Sequence, residues 1–361
     1  MVHRRSVRLG RGHRMLRLLA VMAVLAAVST PSAAETHGLA AESSRIEDPG
    51  DFMPPGKRYA RVTNRAPVYA TQEDIREDRV SSWHGRADAE VWVVVHDRAE
   101  VDGGPYYLAG WDWNKEGWIA KEKLSFSLPA SRLRGIDLSD RDDERLAMVH
   151  VDRAPVYESP PDDSELGSLG RYDLVTVKEK TEMADKRWYR IASDQWLNSD
   201  HVRSLAPGTR PESVEADERW IEVNLSEQTL FAHEGDTPVF ATLVSSGREG
   251  RETITGLFRP WIAFRSAPMR GYSFGLQYDL AHVPWIVYFE GAFAWHGTYW
   301  HDRFGTRRSA GCINLSPHDA HWLITWAEPS LDGAAVVEPD DEQPGTWVYI
   351  HERDIGFISG G

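Results

Sequence analysis

The sequence predicts a mainly β protein: two small β-barrels, then a larger β-rich domain carrying one or two short helices. Three observations carry this. Short runs alternating apolar and polar residues recur through most of the chain, bounded by Gly, Pro and Asp, which is how half-buried strands and their turns are written. Two stretches in the N-terminal half repeat the same markers at similar spacing. One segment alone, near residue 320, carries a full set of helix-start signals.

The chain of 361 residues exceeds one ordinary domain. Residues 1–34 stand apart from the rest. Arg4, Arg5, Arg8, Arg11, Arg14 and Arg17 precede the apolar run from Leu18 to Val28, and Ser32-Ala33-Ala34 supplies small residues at a cleavage-site spacing. A basic head, a short apolar middle and a small-residue exit describe a secretory signal peptide. Eleven apolar residues fall short of the about 20 that span a bilayer, so no stable membrane insertion is expected. Removing those six arginines takes the formal charge from −14 to −20. So acidic a chain repels nucleic acid and anionic surfaces, which excludes a polyanion-binding role. The expected location is outside the cytoplasm, in the periplasm or cell wall.

Residues 35–56, with Asp48-Pro49-Gly50 and Pro54-Pro55-Gly56, read as a linker. The first repeat, 57–127, has Arg65-Ala66-Pro67-Val68-Tyr69 early and Gly117-Trp118-Ile119-Ala120 late. The second, 146–206, has Arg153-Ala154-Pro155-Val156-Tyr157 early and Gln195-Trp196-Leu197-Asn198 late. Between the markers lie strand-like runs such as Val91–Val95 and Leu174–Val177. Both resemble bacterial SH3-type modules, and two roles stay open to them: spacers, or holders of a polymeric ligand. Residues 128–145, with Asp137, Asp140, Asp142, Asp143 and Glu144, read as a charged linker.

The third unit spans 217–353. Trp220–Leu225, Thr229–Ala232 and Val239–Val244 form a β-meander, and Gly256–Phe264, Trp285–Phe289, Phe293–His296 and Trp347–His351 are further strand candidates. Ser316 is placed to cap a helix, Pro317 suits its first turn, and Asp319 completes a capping box. An apolar face then follows at Trp322, Leu323 and Trp326.

The chain has one cysteine, Cys312. A lone thiol in an exported chain has no disulfide partner, so it is either a buried hydrophobe or a reactive group. Its surroundings favour reactivity. Gly311 lets another chain approach the backbone closely, and the N–H groups of Gly311 and Cys312 are placed to stabilise an oxyanion. His296, ending an apolar strand and followed by Gly297, is the candidate base. A thiol with a pKa of about 8.5 is mostly protonated at neutral pH and needs such a base. A backbone carbonyl beside His296, or the Thr298 hydroxyl, can fix the imidazole tautomer.

From Trp220 to about Glu352 the chain resembles the L,D-transpeptidase catalytic domain, whose signature runs His…Ser-His-Gly-Cys. His296, Ser309, Gly311, Cys312 and Asn314 fall on that signature, flanked by Val283-Pro284-Trp285 and Ser316-Pro317-x-Asp319-Ala320. The resemblance implies that Cys312 attacks the carbonyl of the third residue of a peptidoglycan tetrapeptide stem and releases D-alanine. An acceptor amine, on another stem or on an outer-envelope protein, then takes the acyl group. It also implies that His296 is the base and that Ser309 and Asn314 shape the pocket. No cofactor is implied.

One position departs from the pattern. Ala310 stands where the family has a second histidine, which leaves open a catalytically degenerate peptidoglycan-binding protein; retention of Cys312 and His296 favours the enzyme. His301 is a candidate to fill the missing ring's place. Ile254, in Thr253-Ile254-Thr255-Gly256, replaces a common proline and reads as structural. Arg303, Arg307 and Arg308 form a basic island with forks suited to substrate carboxylates. Tyr288, Phe289, Trp295, Tyr299 and Trp300 are cleft or core aromatics. His282, His296, His301, His318 and His321 cluster in sequence but match no standard metal spacing, so no metal site is assigned.

Overall fold

A computed structural model describes residues 52–352 apart from 82–85, 88–90, 113–114, 129–131, 142–144, 162–163, 274–275, 328–329 and 332, and side chains are described outside 82–90, 112 and 272–279. The expected signal segment and most of the 35–56 linker lie outside the described residues. Among the described residues, no helix is long and apolar enough to cross a membrane.

The two repeats fold into separate small β units with their own cores. In the first, strands 115–120, 104–112, 92–101, 58–62 and 124–125 form one sheet in that order, beside a short pair at 66–67 and 86–87. Helix α1 (Gln72–Arg76) starts with a full capping box, Thr71 on the Asp74 N–H and Asp74 back on the Thr71 N–H. In the second, strands 165–170, 153–157, 195–198, 186–192 and 179–183 form one sheet, and 174–176, 146–149 and 202–205 another. The repeated markers meet in the same way in both units. Tyr69 bridges Trp118, and Tyr157 pairs with Trp196. Beside them the repeats bury Val68 and Ile119 in one unit, Val156 and Leu197 in the other.

The C-terminal domain is built on two sheets. We number its strands β1 (Ile136–Asp137), β2 (Arg219–Asn224), β3 (Thr229–Glu234), β4 (Thr237–Leu243), β5 (Gly256–Phe258), β6 (Ile262–Ser273), β7 (Leu276–Glu290), β8 (Phe293–Gly297), β9 (Ile313–Leu315), β10 (Val336–Val337) and β11 (Trp347–His351). The first sheet has the order β5-β11-β2-β3-β4-β1 and the second β9-β8-β7-β6-β10. Pairings β2–β11 and β8–β9 are parallel, the rest antiparallel. Ile221, Val223 and Leu230 from the first sheet meet Val287, Trp295 and Ile313 from the second in one core. Helix α2 (Pro317–Trp326) lies against β7 and β8 and adds Ala320, Leu323 and Ile324 to it.

Three expectations change. The segment 128–145 is not a free linker: β1 lies within it and extends the first sheet, and Leu133 and Leu138 join Phe231, Leu243 and Phe304 in a second core. Asp137 and Asp140, the acids among its described residues, are exposed. The run expected as 285–289 is one arm of a long hairpin, β6–β7, because His282 and Trp285 take positive φ (50° and 54°) and so hide its strand period. The box at α2 is half made. Ser316 Oγ accepts the Asp319 N–H at 3.0 Å, but the Asp319 carboxylate turns to the Gly135 N–H at 2.8 Å and the Thr242 hydroxyl at 2.6 Å. The buried face of α2 is accordingly Ala320, Leu323 and Ile324, with Trp322 and Trp326 at its margin.

Candidate active site

The parallel pairing of β8 with β9 sets the site. Trp295 lies opposite Ile313, and His296 opposite Asn314. Residues opposite each other in the pairing share a face, so Asn314 and His296 face the same side, and Cys312 directly precedes β9. Ser245 fixes the far edge of β9 by two bonds of 2.9 Å, its N–H to the Asn314 carbonyl and the Asn314 N–H to its own.

His296 is buried rather than standing at an open site, with 3% of its surface exposed. Its Nδ1 lies 3.2 Å from the Gly297 carbonyl and 3.4 Å from the Thr298 hydroxyl. A carbonyl can only accept, so Nδ1 carries the proton and Nε2 is left as the basic nitrogen. Burial pushes the imidazole pKa down to about 4, against the opposing pull of that carbonyl. At neutral pH the ring is uncharged.

Cys312 sits at the end of a tight turn. Ser309 Oγ donates to the Cys312 carbonyl and accepts the Gly311 N–H at 3.0 Å, while Thr253 Oγ1 donates to the Gly311 carbonyl at 2.7 Å. Gly311 has φ +125°, and a Cβ there would stand 2.9 Å from Phe293, so glycine is required by conformation and by contact. The Gly311 N–H, expected to face an oxyanion, is therefore engaged by Ser309. The thiol is partly accessible and lies 3.8 Å from the Ala292 carbonyl. Burial pushes its pKa up to about 11. The resting pair is a neutral thiol and a neutral imidazole, not an ion pair.

The remaining candidates divide. Asn314 reaches His301 Nε2 at 3.0 Å through its amide, and the Arg303 N–H donates to His301 Nδ1 at 3.3 Å. His301 thus stands on Asn314, one ring from the dyad, held neutral (about 3) by burial and by Arg308. Ala310 is exposed, so the missing histidine leaves no gap in the interior. Arg303 and Arg308 line a cleft of about 610 Å³ with Tyr299 and Trp300, whereas Arg307 turns away to Glu352 at 2.7 Å. Phe289 and Trp295 are core, and Tyr288 rests against Trp261. The histidines do not converge: His282 meets His96, His318 meets Asp319 and His321 meets Trp285. Among the described residues no group of three His, Cys, Asp or Glu could hold a metal ion.

Sequence reasoning missed the supports of this site. Thr253 lies 58 residues from the carbonyl it holds. Buried Gln228 receives the Ser246 N–H at 2.8 Å, and the Ser246 carbonyl takes the Arg308 and Ser309 N–H groups. The loop after His301 is held from the second module: Tyr172 donates to the Asp302 carbonyl, Arg203 to the Gly305 carbonyl at 2.8 Å, and a Cβ on Gly305 would strike His150. No local pattern marks such long-range partners.

Residues 218–350 match the family model of the L,D-transpeptidase catalytic domain, YkuD. Among curated proteins the chain is similar to "Putative L,D-transpeptidase YciB" of Bacillus subtilis strain 168, at 28% identity over 116 residues. That match takes in 29% of this chain and 58% of the relative's length. Among solved structures it is similar to the catalytic domain of the E. faecium L,D-transpeptidase, at 23% identity over 38% of this chain and 100% of that one, TM-score 0.30. An L,D-transpeptidase from Mycobacterium smegmatis matches at 17% identity over 47% and 79%, TM-score 0.31.

Proposed function

Since residues 218–350 match the family model of the L,D-transpeptidase catalytic domain, we propose that this chain is an exported cysteine acyltransferase of that kind, acting on peptidoglycan stems. The observation that carries the reading is the placement of the chain's one cysteine, partly accessible, directly before the strand that pairs with the His296 strand.

In the resting site the thiol is directed to the Ala292 carbonyl. Rotation about its Cα–Cβ bond turns it toward Nε2 of His296. As Sγ attacks the carbonyl of the third stem residue, Nε2 takes the thiol proton. The S–C bond forms, the C–N bond to D-alanine breaks, and the proton leaves on the amine of D-alanine. With Gly311 N–H engaged, the Cys312 N–H is the backbone donor for the oxyanion. An acceptor amine then attacks the thioester, gives its proton to Nε2, and the S–C bond breaks as the thiol is restored. The acceptor is a second stem or an envelope protein, reached in the periplasm or cell wall.

Ser309 and Thr253 hold the nucleophile turn; Asn314 and His301 form the wall beside the base. The exposure of Ala310 argues against a degenerate binding protein, because the residue lost there faces solvent. The two N-terminal units are SH3-like modules holding the enzyme near its polymer, which raises the local stem concentration without a new contact at the thiol.

The reading is tested by incubating the protein with a disaccharide tetrapeptide and resolving the products by mass. Release of D-alanine with stem-to-stem dimers, absent in Cys312→Ala, is the expected result. Dimers formed equally by Cys312→Ala would overturn it.

A further inference from the structure

The first N-terminal module does more than stand beside the catalytic domain. Tyr59 donates its hydroxyl to the His282 carbonyl at 2.6 Å and its ring lies 4.4 Å from that of Tyr299. Tyr299 in turn donates to the Ala281 carbonyl. Tyr59, Val94 and Met53 share a core with Ala281 and Tyr299. Beside this contact lies the cleft of about 610 Å³. One wall is Arg61, Trp92 and Trp111 of the module; the other is Trp300, His301 and Arg308 of the catalytic domain.

We propose that this composite cleft is the acceptor subsite, and that the module thereby selects the acceptor: a carboxylate-bearing stem on a sugar. The proposal rests on the acyltransferase reading above and adds to it the residues that receive the second substrate.

Three features support it. The first is charge. The cleft gathers Arg61, Arg303 and Arg308; its one lining carboxylate, Asp302, is paired with Arg132, and Asp152 lies 3.7 Å from Arg303. Arg308 has no ion-pair partner among the described residues. In a chain of net charge −14 this local positive field suits a carboxylate, which a guanidinium holds by two parallel bonds.

The second is shape. Partly buried Trp92, Trp111 and Trp300 offer flat apolar faces on both walls, and the volume falls in the range of ligand-binding clefts. The third is direction. The resting thiol lies 3.8 Å from the Ala292 carbonyl, whereas Trp300 lies 5.7 Å from the His296 ring and His301 stands on Asn314. A ligand in the cleft thus reaches the dyad from the side of the base. The acceptor amine must surrender its proton there.

The test uses the full chain in a Cys312→Ala background and, as probe, a disaccharide tripeptide with a free side-chain amine on its third residue. That compound lacks the D-alanine bond and can serve only as acceptor. Calorimetric binding should weaken roughly tenfold in Arg61→Gln, the scale of one lost charge-assisted hydrogen bond. Trp111→Phe, which keeps an aromatic filler, should weaken it less than Trp111→Ala. Affinities within about twofold of the parent in Arg61→Gln and Trp111→Ala alike, with circular dichroism unchanged, would overturn the proposal.

With active protein, Arg61→Gln should lower dimer formation relative to hydrolysis of the tetrapeptide by about the same tenfold. Equal loss of both products would show that the cleft takes the donor, which also overturns it. If the parent protein forms no acyl-enzyme at all, the acyltransferase reading falls, and the binding measurement still decides what the cleft holds.

Discussion

The carboxylate of Asp319 accepts the Gly135 N–H at 2.8 Å, so the helix that follows the nucleophile is bonded to a segment that precedes the second module. Residues 135–137 thus pack as an N-terminal extension of the domain matched at 218–350. A chain starting at Pro211 lacks β1, Leu133, Leu138 and the Gly135 N–H, and leaves a buried carboxylate short of a partner. The loss should be of the order of 5 kcal/mol, from the cavity and the unmet acceptor together. Thermal unfolding should occur at least about 10 °C below that of a chain starting at Arg132. Equal midpoints would show that β1 contributes nothing.

The proposed base, His296, has its pKa lowered to about 4 by burial. A base acts when unprotonated, so the acid limb of kcat/KM for thioester formation should have its midpoint near pH 4 and be flat from roughly pH 6 to 8. Stopped-flow acylation across that range checks it. A limb centred on the ordinary imidazole value of 6.5 would mean that the base is solvated, or is another group.

Ala310 faces solvent, while His301 occupies the wall at Asn314. Ala310→His should therefore meet no crowding and change the acylation rate by no more than about tenfold, the limit set by one neutral hydrogen bond. Acylation that is undetectable in the parent and appears only in Ala310→His would contradict this.

Glu222, wholly buried, accepts from the Gly208 N–H at 2.7 Å, lies 3.1 Å from His233 Nε2 and lies 2.9 Å from His351 Nε2. Burial pushes its pKa up, but these three bonds outweigh it and hold the carboxyl at about 2, below the ordinary 4.5. A carboxyl depressed on folding contributes stability above pH 4.5 and loses it as pH falls toward 2. The contribution at neutral pH is about 3 kcal/mol. Glu222→Gln should be less stable by about that amount at pH 7 and converge on the parent near pH 2. Denaturation at both pH values measures it; a gap that persists undiminished at pH 2 would assign the loss to packing.

What the sequence revealed depended on distance along the chain. The meander β2–β4 and the α2 cap are written in neighbouring residues, and Ser316 caps as its position implied. The Tyr–Trp pairing of the two modules was legible because a repeat shows twice. Cys312 and His296 were legible as a pair of residue types; His296 lies on β8, and Cys312 directly precedes β9, which pairs with it. The engagement of the Gly311 N–H by Ser309 was not, since a three-residue turn can leave that donor free or close on it. Nor was the acidic segment 128–145, where three buried or half-buried apolar residues, Leu133, Ile136 and Leu138, decide the outcome against a larger number of surface charges.

The central claim is that Cys312 carries the acyl group. Intact-protein mass after brief exposure to a disaccharide tetrapeptide, followed by peptide mapping, tests it most directly. The account predicts an adduct equal to the donor less D-alanine, confined to the peptide bearing Cys312. It should be absent in Cys312→Ala and slowed by at least about a hundredfold in His296→Ala. Donor turned over at the parent rate by Cys312→Ala, or an adduct mapped to another residue, would contradict it.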